Sequence, residues 1–407
     1  VKNTATQTGD EAASGYRWLM LGGVWLLYFC FGLMIAAMAP LVTPIRDELG
    51  VGNATMGAIL GAWPLMYIAA AIPCGIVLDR FGARFVLLAA ALIMAGSGVA
   101  RGLAGSPAEL FLAVAFFGVG GPLISVGAPK LIAHWFEGPS RGTAMGIYIT
   151  GPSLGGITAL SLTNSVMMPL TGDDWRAVLF IYAAVVAACG LVWLAISSAG
   201  GRNGRGAQDD GGKKFDLSAF SEILRLPEVR IILVMSIGIF FVNHALNNWL
   251  PELLRSRGLS PAEAGYWASI PTVVGIAGSI LIPRLATPHR RLRVMTLLFC
   301  AAALASLLLH LHPGTGLFAG LFLQGIARSS MMTIAILLLM ETPKVPQERL
   351  GLAGGLFFTT AEIGGVLGPL TFGFLSDLTD GFTVPLFAVT AACAMLLLLI
   401  GLLKRRQ

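Results

Sequence analysis

Thr383-Val384-Pro385-Leu386-Phe387-Ala388-Val389-Thr390-Ala391-Ala392-Cys393-Ala394-Met395-Leu396-Leu397-Leu398-Leu399-Ile400-Gly401-Leu402-Leu403, followed at once by Lys404-Arg405-Arg406, decides the architecture. Residues 383 to 403 carry no charged side chain. As an α-helix rising about 1.5 Å per residue, the run is long enough to cross a hydrocarbon core of about 30 Å. The three basic residues that close it must stay at the water interface. The same pattern recurs along the chain. Of 407 residues 56% are hydrophobic and 12% charged, and the mean hydropathy is +0.79, which excludes a water-soluble globular domain. Windows of spanning length fall at 18–42, 54–78, 84–103, 108–134, 142–167, 176–198, 229–254, 262–286, 292–311, 315–340, 350–374 and 383–403. They lack the period-two alternation of barrel strands, so their backbone groups must be satisfied within helices. The sequence predicts an all-α membrane protein of twelve transmembrane helices. Ser106-Pro107-Ala108-Glu109 and Ser260-Pro261-Ala262-Glu263 have capping-box spacing and open the fourth and eighth spans.

Basic residues collect at cytoplasmic helix ends. With the N-terminus inside, all but six of the 27 Lys and Arg lie in or beside inside segments. Arg46, Arg101, Arg176, Arg255 and Arg257 fall outside, and Arg328 falls within a span. Both termini are therefore expected in the cytoplasm. The net charge of +6 is a topology signal and gives no reason to invoke nucleic acid. Cys30, Cys74, Cys189, Cys300 and Cys393 all sit in apolar spans without CxxC spacing or nearby His, so neither disulfide nor metal is expected. Residues 1–17 read as a polar cytoplasmic tail with no cleavable leader, the first span acting as its own insertion signal. Residues 404–407 are the second tail. The bundles 18–198 and 229–403 are joined by a linker, 199–228. It is glycine-rich at first and then holds Phe220, Ile223 and Leu224 at helical spacing, as in a short interfacial helix.

The two bundles echo each other. Ala144-Met145-Gly146-Ile147-Tyr148-Ile149-Thr150 aligns with Ala353-Gly354-Gly355-Leu356-Phe357-Phe358-Thr359 at an offset that also brings Gly155-Gly156 onto Gly364-Gly365. Gly50 through Gly57 likewise echo Gly258 through Gly265. Two related six-helix bundles imply a binding site near the midplane between them.

Gly75-Ile76-Val77-Leu78-Asp79-Arg80-Phe81-Gly82-Ala83-Arg84, between the second and third spans, resembles the signature G-x-x-x-D-R-x-G-x-R of the major facilitator superfamily. Gly151-Pro152-Ser153-Leu154-Gly155-Gly156 is similar to that family's glycine-proline motif in the fifth span. Trp135-Phe136, with Arg141-Gly142 and Gly146, resembles the W-F-x-x-x-x-R-G-x-A-x-G pattern of its anion-transporting branches, such as monocarboxylate or cyanate permeases. The resemblance implies two pseudo-symmetric bundles and a monomeric alternating-access carrier in a bacterial inner membrane. It also implies a conformational latch of Gly75, Asp79, Arg80, Gly82 and Arg84 that grips the start of the eleventh span when the cytoplasmic side is closed; the plain alternative is that the arginines only enforce topology. Gly151, Pro152, Gly155 and Gly156 are expected as helix-packing scaffold.

Within the spans, only Arg328 and Glu362 place a formal charge near the middle of a window. Such charges must face a cavity or one another. Arginine grips a carboxylate through two parallel hydrogen bonds, so Arg328 is the candidate substrate clamp and Glu362 the candidate proton carrier. A structural ion pair between them is the competing reading. His244, Asn247 and Asn248 bring polarity to the seventh span, which lines the cavity in the family, although interhelical hydrogen bonding accounts for asparagines equally well. Tyr28, Tyr148 and Gln324 complete the candidate set. No nucleotide loop, metal cluster or nucleophile with its base is present, so no cofactor and no catalysis are expected. The expectation is a proton-coupled importer of a small organic anion. Proton-driven export of drugs or metabolites is the alternative, weakened by Val114 where many exporters of the family carry an arginine.

Overall fold

The computed structural model describes residues 4–199, 222–342, 345, 346 and 349–406, and among them it contains helices and no strand. Linker residues 200–221 and the side chain of Asp79 lie outside the described part. Eleven segments are long and apolar enough to cross a membrane. The twelfth, span five, is broken into Gly138–Tyr148, Thr150–Leu162, a π-helical turn at Thr163–Met167 and Met168–Leu170. The break at Ile149 comes just before Pro152, whose ring cannot donate to the carbonyl four residues earlier. Span one, Thr4–Ala36, carries its helix into residues 4–17, expected to be a plain tail, and stops four residues before Pro40 for the same reason.

The other spans follow the apolar windows closely: four Pro107–Trp135, six Trp175–Ala199, seven Pro227–Ser256, eight Pro261–Leu285, nine Arg291–Leu308, ten Thr315–Met340, eleven Leu350–Leu378 and twelve Thr383–Lys404. Span two begins with Asn53–Leu60 and continues into Ala62–Leu103, which also contains span three. Gly82 separates the two at φ 76° and ψ 157°, a conformation closed to most L-residues, so the signature glycine is needed to reverse the chain. Of the two expected capping boxes, the one opening span eight forms in full and the one opening span four only in part. Ser260 accepts the Glu263 N–H while Glu263 accepts the Ser260 N–H at 2.9 Å, whereas Glu109 reaches one residue further back, to the Gly105 N–H.

Glycine faces weld the helices of each half. A Cβ on Gly155 would strike the Phe29 carbonyl of span one, and Gly151 is close but less tight, with the Phe29 nitrogen 3.0 Å away. Gly364 meets the Ile237 carbonyl of span seven in the same manner. The repeat in sequence is thus a repeat in packing: one with five, seven with eleven. Gly156 has only loose neighbours, and Gly32 supplies the close approach to the Pro152 backbone. Leu92, Leu112, Leu191, Leu297 and Leu398 stay exposed on the perimeter, where lipid is their solvent.

Between the halves, the end of the molecule remote from the termini is closed. The carboxylate of Asp377, at the end of span eleven, accepts the Asn53 and Ala54 N–H groups at 2.8 and 2.7 Å and so caps span two. The Asn53 amide donates to Ser376 at 2.9 Å, Thr43 donates to Glu252 at 2.7 Å, and Asn164 bridges the Pro40 and Pro261 carbonyls. Gly57 fits against the Pro369 backbone and Gly265 against the Leu160 carbonyl. At the terminal end the glycine faces stand open. Gly75, Gly146, Gly351 and Gly355 there have no atom within 4 Å of where a Cβ would stand. Arg84 donates instead to Ser198 in its own half at 2.7 Å, and the Arg80 guanidinium lies over Phe81.

Candidate functional site: a cavity between the halves

A cavity of about 350 Å³ lies between the bundles. Spans one, two and four supply Tyr28, Phe31, Trp63, Tyr67 and Ser125. Spans seven, ten and eleven supply Phe240, Asn243, His244, Asn247, Arg328, Ser329, Met332, Phe358 and Glu362. Asn247 lies three residues after His244 and four after Asn243, so all three reach it from neighbouring positions on one side of span seven.

Arg328 and Glu362 both face this space and form no ion pair with each other. Among the described residues the Arg328 guanidinium has neither a hydrogen bond nor an ion pair, so its donors are available to a ligand. Glu362 is buried, and its Oε2 has no hydrogen-bond partner; the nearest basic atom is His244 Nε2 at 3.9 Å. The His244 ring is held between Trp63 and Phe240, with centroids 5.4 and 5.5 Å away and planes tilted by 28° and 19°. Gly365 makes room for this pair: a Cβ there would sit 2.5 Å from Glu362 Oε2 and 3.2 Å from the His244 ring. The Asn243 Oδ1 is also without a partner. On the opposite wall Tyr67 and Ser125 share a hydrogen bond of 2.9 Å.

Arg328, His244, Asn247, Tyr28 and Glu362 are thus gathered around one space. Asn248, Tyr148 and Gln324 are not. The Asn248 amide donates to the His244 carbonyl at 2.8 Å, one turn back on its own helix. Tyr148 stands behind Tyr28, stacked on it at 5.3 Å. Gln324 is buried with neither amide atom partnered, off the cavity wall. Trp63, Tyr67, Phe31, Phe240 and Phe358 escape a sequence reading because aromatics in apolar spans are most often packing. Arg101, read as an outside-loop residue, is 1% exposed; it donates to the Met34 carbonyl at 3.0 Å and lies over Phe117. The W-F…R-G pattern acquires a structural role, since Arg141 donates to the Phe136 and Ala133 carbonyls and caps the end of span four.

Known proteins match along nearly the whole chain. The protein is 25% identical to "Uncharacterized transporter YycB" of Bacillus subtilis (strain 168), over 92% of this chain and 90% of that one. It is 23% identical to "Probable galactarate/D-glucarate transporter GudP" of the same organism, over 99% of this chain and 96% of that one. Its fold superposes on a bacterial homolog of the human lysosomal transporter Spinster with a TM-score of 0.78 at 20% identity, covering 96% of this chain and 97% of that one. The profile of the Major Facilitator Superfamily matches residues 24–369. Together with the helical bundles and the cavity between them, this match establishes that the chain belongs to the Major Facilitator Superfamily and is a transporter rather than an enzyme.

Proposed function

We propose that the protein is a secondary active transporter that takes up small organic anions in symport with protons, by alternating access, across a bacterial cytoplasmic membrane. The observation that carries this reading is Arg328, a permanent cation on the wall of a cavity between the halves with no protein acceptor among the described residues. A buried guanidinium left open to a cavity is a site for a carboxylate or a similar oxyanion. The relative named for galactarate and D-glucarate supports an anionic ligand.

Arg328 is the clamp, and Tyr28, Asn247 and His244 border the ligand. Glu362 carries the proton, with His244 Nε2 3.9 Å away to exchange it. Asn248, Tyr148 and Gln324 support these groups from behind. With the termini in the cytoplasm, as the basic residues require, the closed end is the outer gate and the open end faces inward. In the opposite state the latch of Gly75, Asp79, Arg80, Gly82 and Arg84 closes on the start of span eleven, where a carboxylate and a helix N-terminus attract one another.

The test is uptake into proteoliposomes of small organic anions, organic cations and lipophilic drugs, with and without an inside-alkaline pH gradient. Saturable anion uptake accelerated by the gradient is expected. Accumulation of cations or drugs without any anion uptake contradicts the proposal and favours the exporter reading.

A further inference from the structure

Resting on the reading of this cavity as an anion site, we infer that it selects a compact, planar monoanion, such as a monocyclic aromatic carboxylate, over a polyhydroxylated dianion. The two walls differ in chemistry. The N-terminal half contributes four rings, Tyr28, Phe31, Trp63 and Tyr67, whose only hydroxyls are the two phenols and Ser125, Tyr67 and Ser125 already engaging each other at 2.9 Å. The C-terminal half contributes every ionisable head group on the wall other than the phenols, together with both amides. A ligand that satisfies both walls has a charged end and a flat apolar face.

The count of cations limits the charge. Among the described residues Arg328 is the sole Lys or Arg on the wall, and Glu362 the sole carboxyl group. A second carboxylate on the ligand would find no second guanidinium. The ring planes limit the shape. Tyr28 and Phe31 are nearly parallel, 5° apart with centroids at 5.7 Å, and Tyr148 and Phe117 extend the same stack at 26° and 16°. Trp63 and Phe240 hold the flat His244 ring between them, while Trp63 stands edge-on to Tyr67 and to Phe117, at 84° in each case. Aromatic rings prefer offset stacking or edge-to-face contact, both present here, and a planar aromatic ligand adds to either. Of the several hydroxyls of a sugar diacid, those beyond the reach of Asn243, Asn247 and the Tyr28 hydroxyl would be carried against ring faces, losing water without gaining partners. At about 350 Å³ the space lies at the small end for ligand pockets, which favours a single ring.

The experiment is competition for uptake of radiolabelled benzoate by the full chain in proteoliposomes at one pH, with unlabelled benzoate, cyclohexanecarboxylate, acetate and galactarate. Benzoate is expected to compete at concentrations at least tenfold below those needed for acetate or galactarate, with cyclohexanecarboxylate in between. In Trp63→Leu the benzoate advantage over acetate should fall at least fivefold. The wild-type ranking stands as a test even if that variant does not fold. Galactarate competing as well as benzoate, with uptake still abolished in Arg328→Gln, overturns the inference and leaves the anion site intact. Absence of saturable uptake of any of these anions, or uptake unchanged in Arg328→Gln, overturns the anion site and this inference with it.

Discussion

A guanidinium within a membrane span has to be met by something other than lipid, and Arg328 is met by a cavity. The cost of a charge in hydrocarbon is what made Arg328 and Glu362 legible among hundreds of apolar residues. It is also why the rings beside them were not: Trp63 and Tyr67 cost little in a bilayer, and only their neighbours in space separate wall from packing. Arg101 shows the same limit from the other side, since a charge near a window's end can snorkel or be buried with equal economy of sequence. If Glu362 carries the proton, Glu362→Gln retains anion exchange but loses acceleration by an imposed pH gradient, measured as counterflow against gradient-driven uptake. Gly365→Ala should impair both, because its methyl group enters the space of the Glu362–His244 pair. A drop of tenfold or more in uptake with an unchanged elution profile is expected.

The elements are joined by glycine faces and by helix ends. In Gly364→Val the added side chain meets the Ile237 carbonyl in a helix interface with no room to yield, at a cost of about 1–3 kcal/mol or more. Thermal unfolding in detergent should show a clear fall in Tm. Asp377 works at a different joint: its carboxylate receives two N–H groups at the start of span two and so fastens the halves together at the closed end. A carboxylate at a helix N-terminus is worth about 0.3–1 kcal/mol, enough to move a balanced two-state equilibrium several-fold. Asp377→Ala should therefore raise the population with that end open, read as longer spin-label distances across it. Unchanged distances would mean that the glycine contacts alone hold the gate. The span boundaries and the repeat were readable because apolar length and glycine spacing are local properties. Asp377 was not, as its partners lie more than three hundred residues away and a carboxylate at a span's end looks like any solvated loop residue.

At the scale of the whole molecule, one end is shut by backbone-to-backbone approach and the other is not, and a central cavity lies between. Gly146 and Gly355, equivalent positions of the two halves at the open end, have empty space within 4 Å of where a Cβ would stand. Leucine at either should leave Tm nearly unchanged while slowing exchange, since the cycle must bring these surfaces together. Two six-helix halves were visible in the sequence as a repeat and a loop signature. The state in which the chain rests was not, because both states are built from the same helices and differ only in which end is closed. The most direct measurement of the central claim is saturable counterflow of a small organic anion by purified wild-type protein and by Arg328→Gln, with folding checked by elution profile and Tm. Robust counterflow is predicted in the wild type, with a loss of about a hundredfold or more in the variant, the size expected when a charge-assisted, bidentate contact is removed. Equal counterflow by the two proteins would contradict it.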